Sequence, residues 1–159
     1  MSSDLVELVE QEHFVEFGKK FERLNRWEKK SVVEEVDKKF KPVEEAEKFF
    51  ELGPSDVNKL ALVVAANAVA SGLKTSQIRK ILNMSGNIYR KARNKKDVSA
   101  DIAKLRYVLA YVAARHREIL PVAEVLDRII PKLDGENYEK FHDFLQAIVA
   151  YHKLLGGRD

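Results

Sequence analysis

The sequence predicts an all-α protein, a single helical-bundle domain of about six to eight helices spanning residues 1–159. Three observations carry that prediction. β-Branched residues seldom alternate with polar ones over a strand's length, so the period-2 signal of a sheet is nearly absent. Apolar residues recur instead at helical spacing along most of the chain. Residues that start or stop helices punctuate this pattern: Ser and Asp at candidate starts, Gly and Pro at candidate ends.

Taken in order, Leu5, Leu8, Phe14, Phe17, Phe21 and Leu24 place one amphipathic helix over residues 3–29, with Gly18 as its weak point. Ser31 followed by Glu34 has the form of a capping box and opens a short helix that stops before Pro42. Pro42 suits the first turn of a helix over 42–52, whose Phe49 and Phe50 face the core, and Gly53-Pro54 ends it. Ser55 or Asp56 caps the next segment, DVNKLALVVAANAVAS. Apolar residues run almost all round its wheel, which marks a central, closely packed helix. Gly72 stops it, and Thr75 or Ser76 caps a helix running to about Asn94, with Ser85-Gly86 as the place where it would break. The stretch RNKKDVS reads as a loop. Ser99 caps a helix over 100–118, Pro121 opens one over 121–130 that Pro131 closes, and the last covers 137–155 before Gly156-Gly157.

Charge is unevenly spread. The net charge is only +3, yet residues 1–53 hold 10 Lys/Arg against 14 Asp/Glu, and residues 72–117 hold 12 Lys/Arg against Asp97 and Asp101 alone. The expected organisation is therefore an acidic set of N-terminal helices over 1–53 and a basic helical core over 54–159. A solvated charged face normally mixes both signs; a stretch this poor in acids favours a polyanionic partner. There are no cysteines, so disulfides, thiolate metal sites and cysteine nucleophiles are excluded. No apolar run approaches the ~20 residues of a membrane span. The acidic, amphipathic start MSSDLVELVEQE is unlike a signal peptide, and a cytoplasmic location is expected.

The search for reaction chemistry returns little. The histidines at 13, 116, 142 and 152 form no His-x-x-x-His pair, and Glu139 with His142 is a single Glu-x-x-His where a di-metal bundle needs two. His116 and His152 lie on apolar stripes, where a helical histidine is read as a hydrogen-bonded core residue. Phosphate-cradling and dinucleotide glycine patterns are missing, as is Gly-x-Ser-x-Gly, and Ser85-Gly86 has no base in sequence reach. No arginine is followed five to seven positions later by histidine, the pattern of small all-α HEPN ribonucleases. No catalytic residue, no metal and no cofactor are therefore expected, and the chain is read as not an enzyme.

Binding chemistry is richer. On the wheel of 75–93, Ile78, Ile81, Leu82, Ile88, Tyr89 and Ala92 form the buried side. Arg79, Lys80, Arg90, Lys91 and Arg93 share the other half with Asn83 and Asn87 and no acid. Such a face pairs phosphates through charge and arginine forks, and a helix start at Thr75 or Ser76 adds free backbone N–H groups beside it. In the next helix Lys104, Val108, Tyr111 and Arg115 share one flank of the stripe, and Arg106 and Arg117 the other. Tyr111 among these cations either packs against a neighbouring helix or stacks a base. Residues 56–93 also fit a helix-turn-helix, making a DNA-binding transcriptional regulator the alternative reading.

Three stretches together, LKTSQIRKIL (73–82), KLRYVLAYVAARH (104–116) and FHDFLQAIVAYHKLLGG (141–157), resemble the small helical subunit of type III-A CRISPR effector (Csm) complexes. Thr75, Ser76, Gln77, Arg79 and Lys80 occupy the first shared motif, Tyr111 and Arg115 the second, and Tyr151, His152 and Lys153 the third. Gln146 departs from the family, which often has an acid there. The resemblance implies a non-catalytic subunit of an antiviral ribonucleoprotein, contacting guide RNA, single-stranded target RNA, and the backbone and large subunits. Self-association, including a homodimer of the isolated chain, is also expected. The residues expected to meet RNA are Lys74, Thr75, Ser76, Arg79, Lys80, Arg90, Lys91, Lys104, Arg106, Tyr111 and Arg115.

Overall fold

Leu8 and Phe14 lie on one helical stripe in the sequence, yet the chain turns between them. In the computed structural model, which describes residues 2–159, helices α1 (Ser2–Glu10) and α2 (Phe14–Glu22) replace the expected single helix. Glu12 adopts a left-handed φ of 61°, and the His13 N–H donates to the Leu8 carbonyl at 2.9 Å. The reversal folds the Leu5, Leu8, Val9 face and the Phe17, Phe21 face onto a common core. Gly18 is not where the helix breaks. A Cβ there would lie 2.6 Å from Leu154 Cγ, so glycine allows α2 to approach the last helix closely.

Helix α3 (Arg26–Phe40) starts at Asn25, in a capping box with Glu28: the Glu28 N–H donates to Asn25 Oδ1 at 2.8 Å and the Asn25 N–H to Glu28 Oε1 at 3.0 Å. Ser31 and Glu34, the expected box, lie inside α3. Two boxes overlap in this sequence, and the one that wins lies just outside the apolar face formed by Val32, Val33 and Val36. Lys41, at φ 44°, turns the chain into α4 (Pro42–Glu47), with Pro42 in its first turn. The remainder of the expected 42–52 helix tightens to a 3-10 turn, Phe49–Glu51. Phe49 is buried, its ring 5.0 Å from Phe144, and Phe50 is partly buried against it.

Helix α5 (Pro54–Ala70) has the central place its composition predicts: Leu60 to Ala66, Ala68 and Ala70 are buried, and α3, α4, α8 and α9 pack around it. Each fully buried Leu or Val contributes roughly 1.5–3 kcal/mol, while the alanines let neighbouring axes come close. Its N-cap is Gly53 rather than Ser55 or Asp56. The Ser55 hydroxyl bonds Glu12 at 2.8 Å instead. Gly72, at φ 86°, ends the turn after it.

Four helices complete the bundle: α6 (Thr75–Arg93), α7 (Ser99–Arg115), α8 (Leu120–Ile129) and α9 (Tyr138–Leu154), with 3-10 turns at Arg117–Ile119 and Ile130–Lys132. Helix α6 runs unbroken through Ser85-Gly86 and packs on α9 and α7. The all-α, single-domain architecture matches the prediction. Eight helices have nine residues or more, and α4 is a six-residue ninth; no strand occurs among the described residues. Among the described residues no helix is long and apolar enough to cross a membrane.

Candidate nucleic-acid interface

The start of α6 is set by α9. His152, 1% exposed, uses both ring nitrogens: Nε2–H donates to the Leu73 carbonyl at 2.7 Å, and Nδ1 accepts from the Thr75 hydroxyl at 3.3 Å. The Thr75 N–H donates to the Arg158 carbonyl at 2.7 Å. These bonds correct two expectations. Thr75 is an interior residue, 4% exposed, and neither its hydroxyl nor its N–H faces solvent chemistry. The cap position is Lys74, whose N–H donates to Gln77 Oε1 at 2.8 Å. The Gln77 Nε2 reaches Glu118 at 2.9 Å and His116 Nδ1 at 3.2 Å, tying α6 to the chain beyond α7.

Past this anchor, the outer face of α6 follows the predicted wheel. Ser76, Arg79, Lys80, Asn83, Asn87, Arg90, Lys91 and Arg93 are exposed, while Ile78, Ile81, Ser85 and Ile88 are buried. On α7, Lys104, Arg106, Tyr111 and Arg115 are exposed as well. The fold assembles these side chains into two groups. Toward the start of α6, Lys80 lies near the Tyr111–Arg115 pair. Arg115 Nη1 donates to the Tyr111 hydroxyl at 3.2 Å, and its guanidinium lies 5.9 Å from the ring centroid. The Arg115 hydrogen bond and charge, with a smaller contribution from Lys80, hold the Tyr111 hydroxyl below its ordinary pKa.

At the other end, a cleft of about 530 Å³ opens between the two helices. Arg90, Lys91, Lys96 and Lys104 line it, over a floor that includes Met84 and Ile88. Asp101 is its one acid and pairs with Lys91 at 3.1 Å. Arg90 is held by a hydrogen bond to Asn87.

Tyr111 does not pack against another helix: it is 56% exposed. Its neighbour one turn back, Tyr107, is 64% exposed and is absent from the residues expected to meet RNA. Its position off the Ile102, Leu105, Leu109, Val112 stripe is the signal that marks it. Two expected residues stand apart. Arg106 leaves α7 on the flank away from Lys104, Tyr111 and Arg115, and Lys74 lies beside Glu118 rather than over the α6–α7 cleft.

The fold also gives Ser85 a base. Its Oγ lies 2.9 Å from His142 Nδ1 and accepts from the Tyr138 hydroxyl at 2.9 Å, while the Tyr89 ring stacks on His142 at 5.2 Å. Ser85 and Tyr138 have no exposed surface. No substrate atom reaches that oxygen, and the triad serves to join α6 to α9. Burial pushes the Tyr138 hydroxyl up to about 12, against the pull of its bond to Ser85. No group of three or more His, Asp or Glu arranged to hold a metal occurs among the described residues.

Comparison with known proteins adds two findings. The sequence profile of the Csm2 type III-A family matches residues 51–158, from the 3-10 turn before α5 to the chain's last residues. A Streptococcus thermophilus protein described as "CRISPR system Cms protein Csm2" is 32% identical over 92 residues, which covers 55% of this chain and 76% of the relative.

Proposed function

This chain belongs to the Csm2 type III-A family, the small subunits of type III-A CRISPR effector complexes, and we propose that it binds single-stranded RNA there through the α6–α7 face. The observation that carries this reading is the state of the cations. Four of the ten N-terminal cations, Lys20, Lys38, Lys39 and Lys48, pair with Glu16, Glu35, Glu10 and Glu45 among the 14 acids of residues 1–53. On the α6–α7 face Lys91 pairs with Asp101, while Arg79, Lys80, Lys104 and Arg115 form no ion pair among the described residues. Unneutralised cations aligned on adjacent helices suit a phosphate backbone, and exposed Tyr107 and Tyr111 beside them suit unpaired bases.

The partners in this reading are guide RNA and single-stranded target RNA, together with the backbone and large subunits of the complex, in cytoplasmic antiviral defence. It assigns no residue a catalytic role. Self-association belongs to the same proposal, through apolar side chains left on the surface of the N-terminal helices, Val15 and Trp27. The helix-turn-helix alternative loses its support in the packing of α5. The first helix of such a pair crosses the DNA backbone, whereas α5 is wrapped by four others.

The test is a filter-binding titration of single-stranded RNA and of a DNA duplex at two salt concentrations. RNA binding by wild type should weaken with a log–log slope of about −0.7 per phosphate neutralised. Arg79→Glu/Lys80→Glu leaves Ile78, Ile81 and Leu82 in place, so its circular dichroism should match wild type while RNA binding is largely lost. A folded double variant that binds RNA as wild type does overturns the assignment. Tight binding to one duplex sequence alone restores the DNA-regulator reading.

A further inference from the structure

Two cations of the acidic N-terminal helices face the basic core. Arg26 and Lys29, from the start of α3, line a cleft of about 500 Å³ whose other walls carry Lys74, just before α6, and Arg158 of the C-terminal tail. Three chain segments far apart in sequence thus contribute four cationic residues to the walls of one cleft. None of the four side chains forms an ion pair among the described residues. Glu118 is the acid that lines the same cleft. Its carboxylate is held by the Gln77 amide at 2.9 Å and kept below its ordinary pKa by hydrogen bonding, with smaller contributions from His116 and Lys74. The 71–74 turn, with Gly156 and Gly157, and the apolar Val69 and Ala70 complete the lining.

Four cations line this cleft against the single carboxylate of Glu118, so its net charge is positive and suits an anionic group. The cleft also adjoins the α6 face. Lys74 immediately precedes α6, and Arg79 lies near enough to Asp159, next to Arg158, to lower its pKa slightly. Asp159 itself pairs with Lys153 at 2.9 Å, outside the cleft.

We propose that this second cleft binds phosphodiester groups of the same single strand that follows α6–α7, so that the strand runs past Lys74 onto α3. The inference rests on the RNA-binding reading and deepens it: the N-terminal helices, outside the region matched by the family profile, become part of the RNA path. The ligand chemistry is a phosphate ester, and the cleft's continuity with α6 makes a strand, rather than a free small anion, its source.

The experiment titrates the full-length chain with single-stranded RNAs of about 16 and about 4 nucleotides, and with inorganic tripolyphosphate, across a salt series. Arg26→Gln/Lys29→Gln removes two charges. The long strand should bind about tenfold more weakly near physiological salt, with a salt slope shallower by about 1.4, while the short strand, which α6–α7 can hold alone, changes little. Lys29 covers the Phe21 ring at 5.9 Å, so Arg26→Gln alone is the control for folding; exposed at the first position of α3, it should lower the slope by about 0.7. Wild-type affinity and slope in both variants, with binding still lost in Arg79→Glu/Lys80→Glu, overturn the second cleft and leave the α6–α7 reading standing. The opposite pattern overturns the α6–α7 reading on which the path depends. Tripolyphosphate binding that the double variant abolishes, with RNA binding unaffected, overturns the strand in favour of a small-anion site.

Discussion

At the scale of single residues, His152 is buried and bonded through both ring nitrogens. Burial holds its imidazole below the ordinary histidine range, with the bond to the Leu73 carbonyl pulling the other way. His142 is lowered chiefly by burial too. Both are neutral in the folded state at neutral pH, and both bind protons more readily once the chain unfolds, near the ordinary value of 6.5. The unfolded state therefore holds more protons below that pH. The stability these histidines contribute is complete above 6.5 and is lost as pH falls toward their folded values. Thermal melts between pH 8 and pH 5 should show that loss, and His152→Ala should flatten part of it. The same substitution takes the imidazole partner from the Leu73 carbonyl and the Thr75 hydroxyl in a buried site, costing about 1–3 kcal/mol, while RNA affinity per folded molecule stays near wild type. Gly157→Ala tests the site from the other side. A Cβ there would lie 2.1 Å from the His152 ring, which its two hydrogen bonds prevent from retreating. A loss of about 1–3 kcal/mol is expected in denaturant melts. His152 was legible in the sequence as a core histidine. Its partner Thr75 was not, because a hydroxyl at a helix start reads the same whether it faces water or a buried ring.

At the scale of elements, the helices were legible and several of their ends were not. The apolar stripes of α5, α6 and α9 appear in the sequence as they pack. The turn at Glu12 does not, since helical periodicity continues on both sides of it. Two element-level contacts can be tested by substitution. Asn25→Ala removes the cap of α3 and should cost about 1 kcal/mol, read as a lower melting temperature with helix content retained. Ser85→Ala leaves Tyr138 and His142 without their shared partner at the α6–α9 contact. It should cost about 1–3 kcal/mol by chemical denaturation. Tyr138→Phe should cost less in the Ser85→Ala background than in wild type, because the two act through one bond. Additive losses would mean that the triad does not join the helices as described.

At the scale of the whole molecule, the acidic and basic regions share one bundle: α3 lies on α5, α2 on α9 and α4 on α8. Charge is segregated while packing is not. Trp27 is 80% exposed and Val15 64%, both on the N-terminal helices. An exposed tryptophan that becomes buried on association commonly contributes much of the energy of a protein interface. In light scattering the isolated chain should therefore increase in mass with concentration, and Trp27→Ser should reduce that increase without lowering the melting temperature. A monomeric mass at every concentration would refute self-association.

The amino-acid sequence by itself determined the all-α class, the central place of α5, the family resemblance and the cation-bearing face of α6. Each of these is written in local spacing, and a helix places residues three and four apart on one side whatever surrounds it. Only the tertiary structure decided that Thr75 lies inside, that Tyr111 stands exposed beside Lys80 and Arg115, that Ser85 meets His142, and that Arg26 and Lys29 share a cleft with Lys74 and Arg158. Those pairings join residues from different helices, so they depend on how the helices cross and where the chain turns. Periodicity along one helix is silent about the neighbour that covers its face, and that neighbour settles whether a polar side chain meets water or the core.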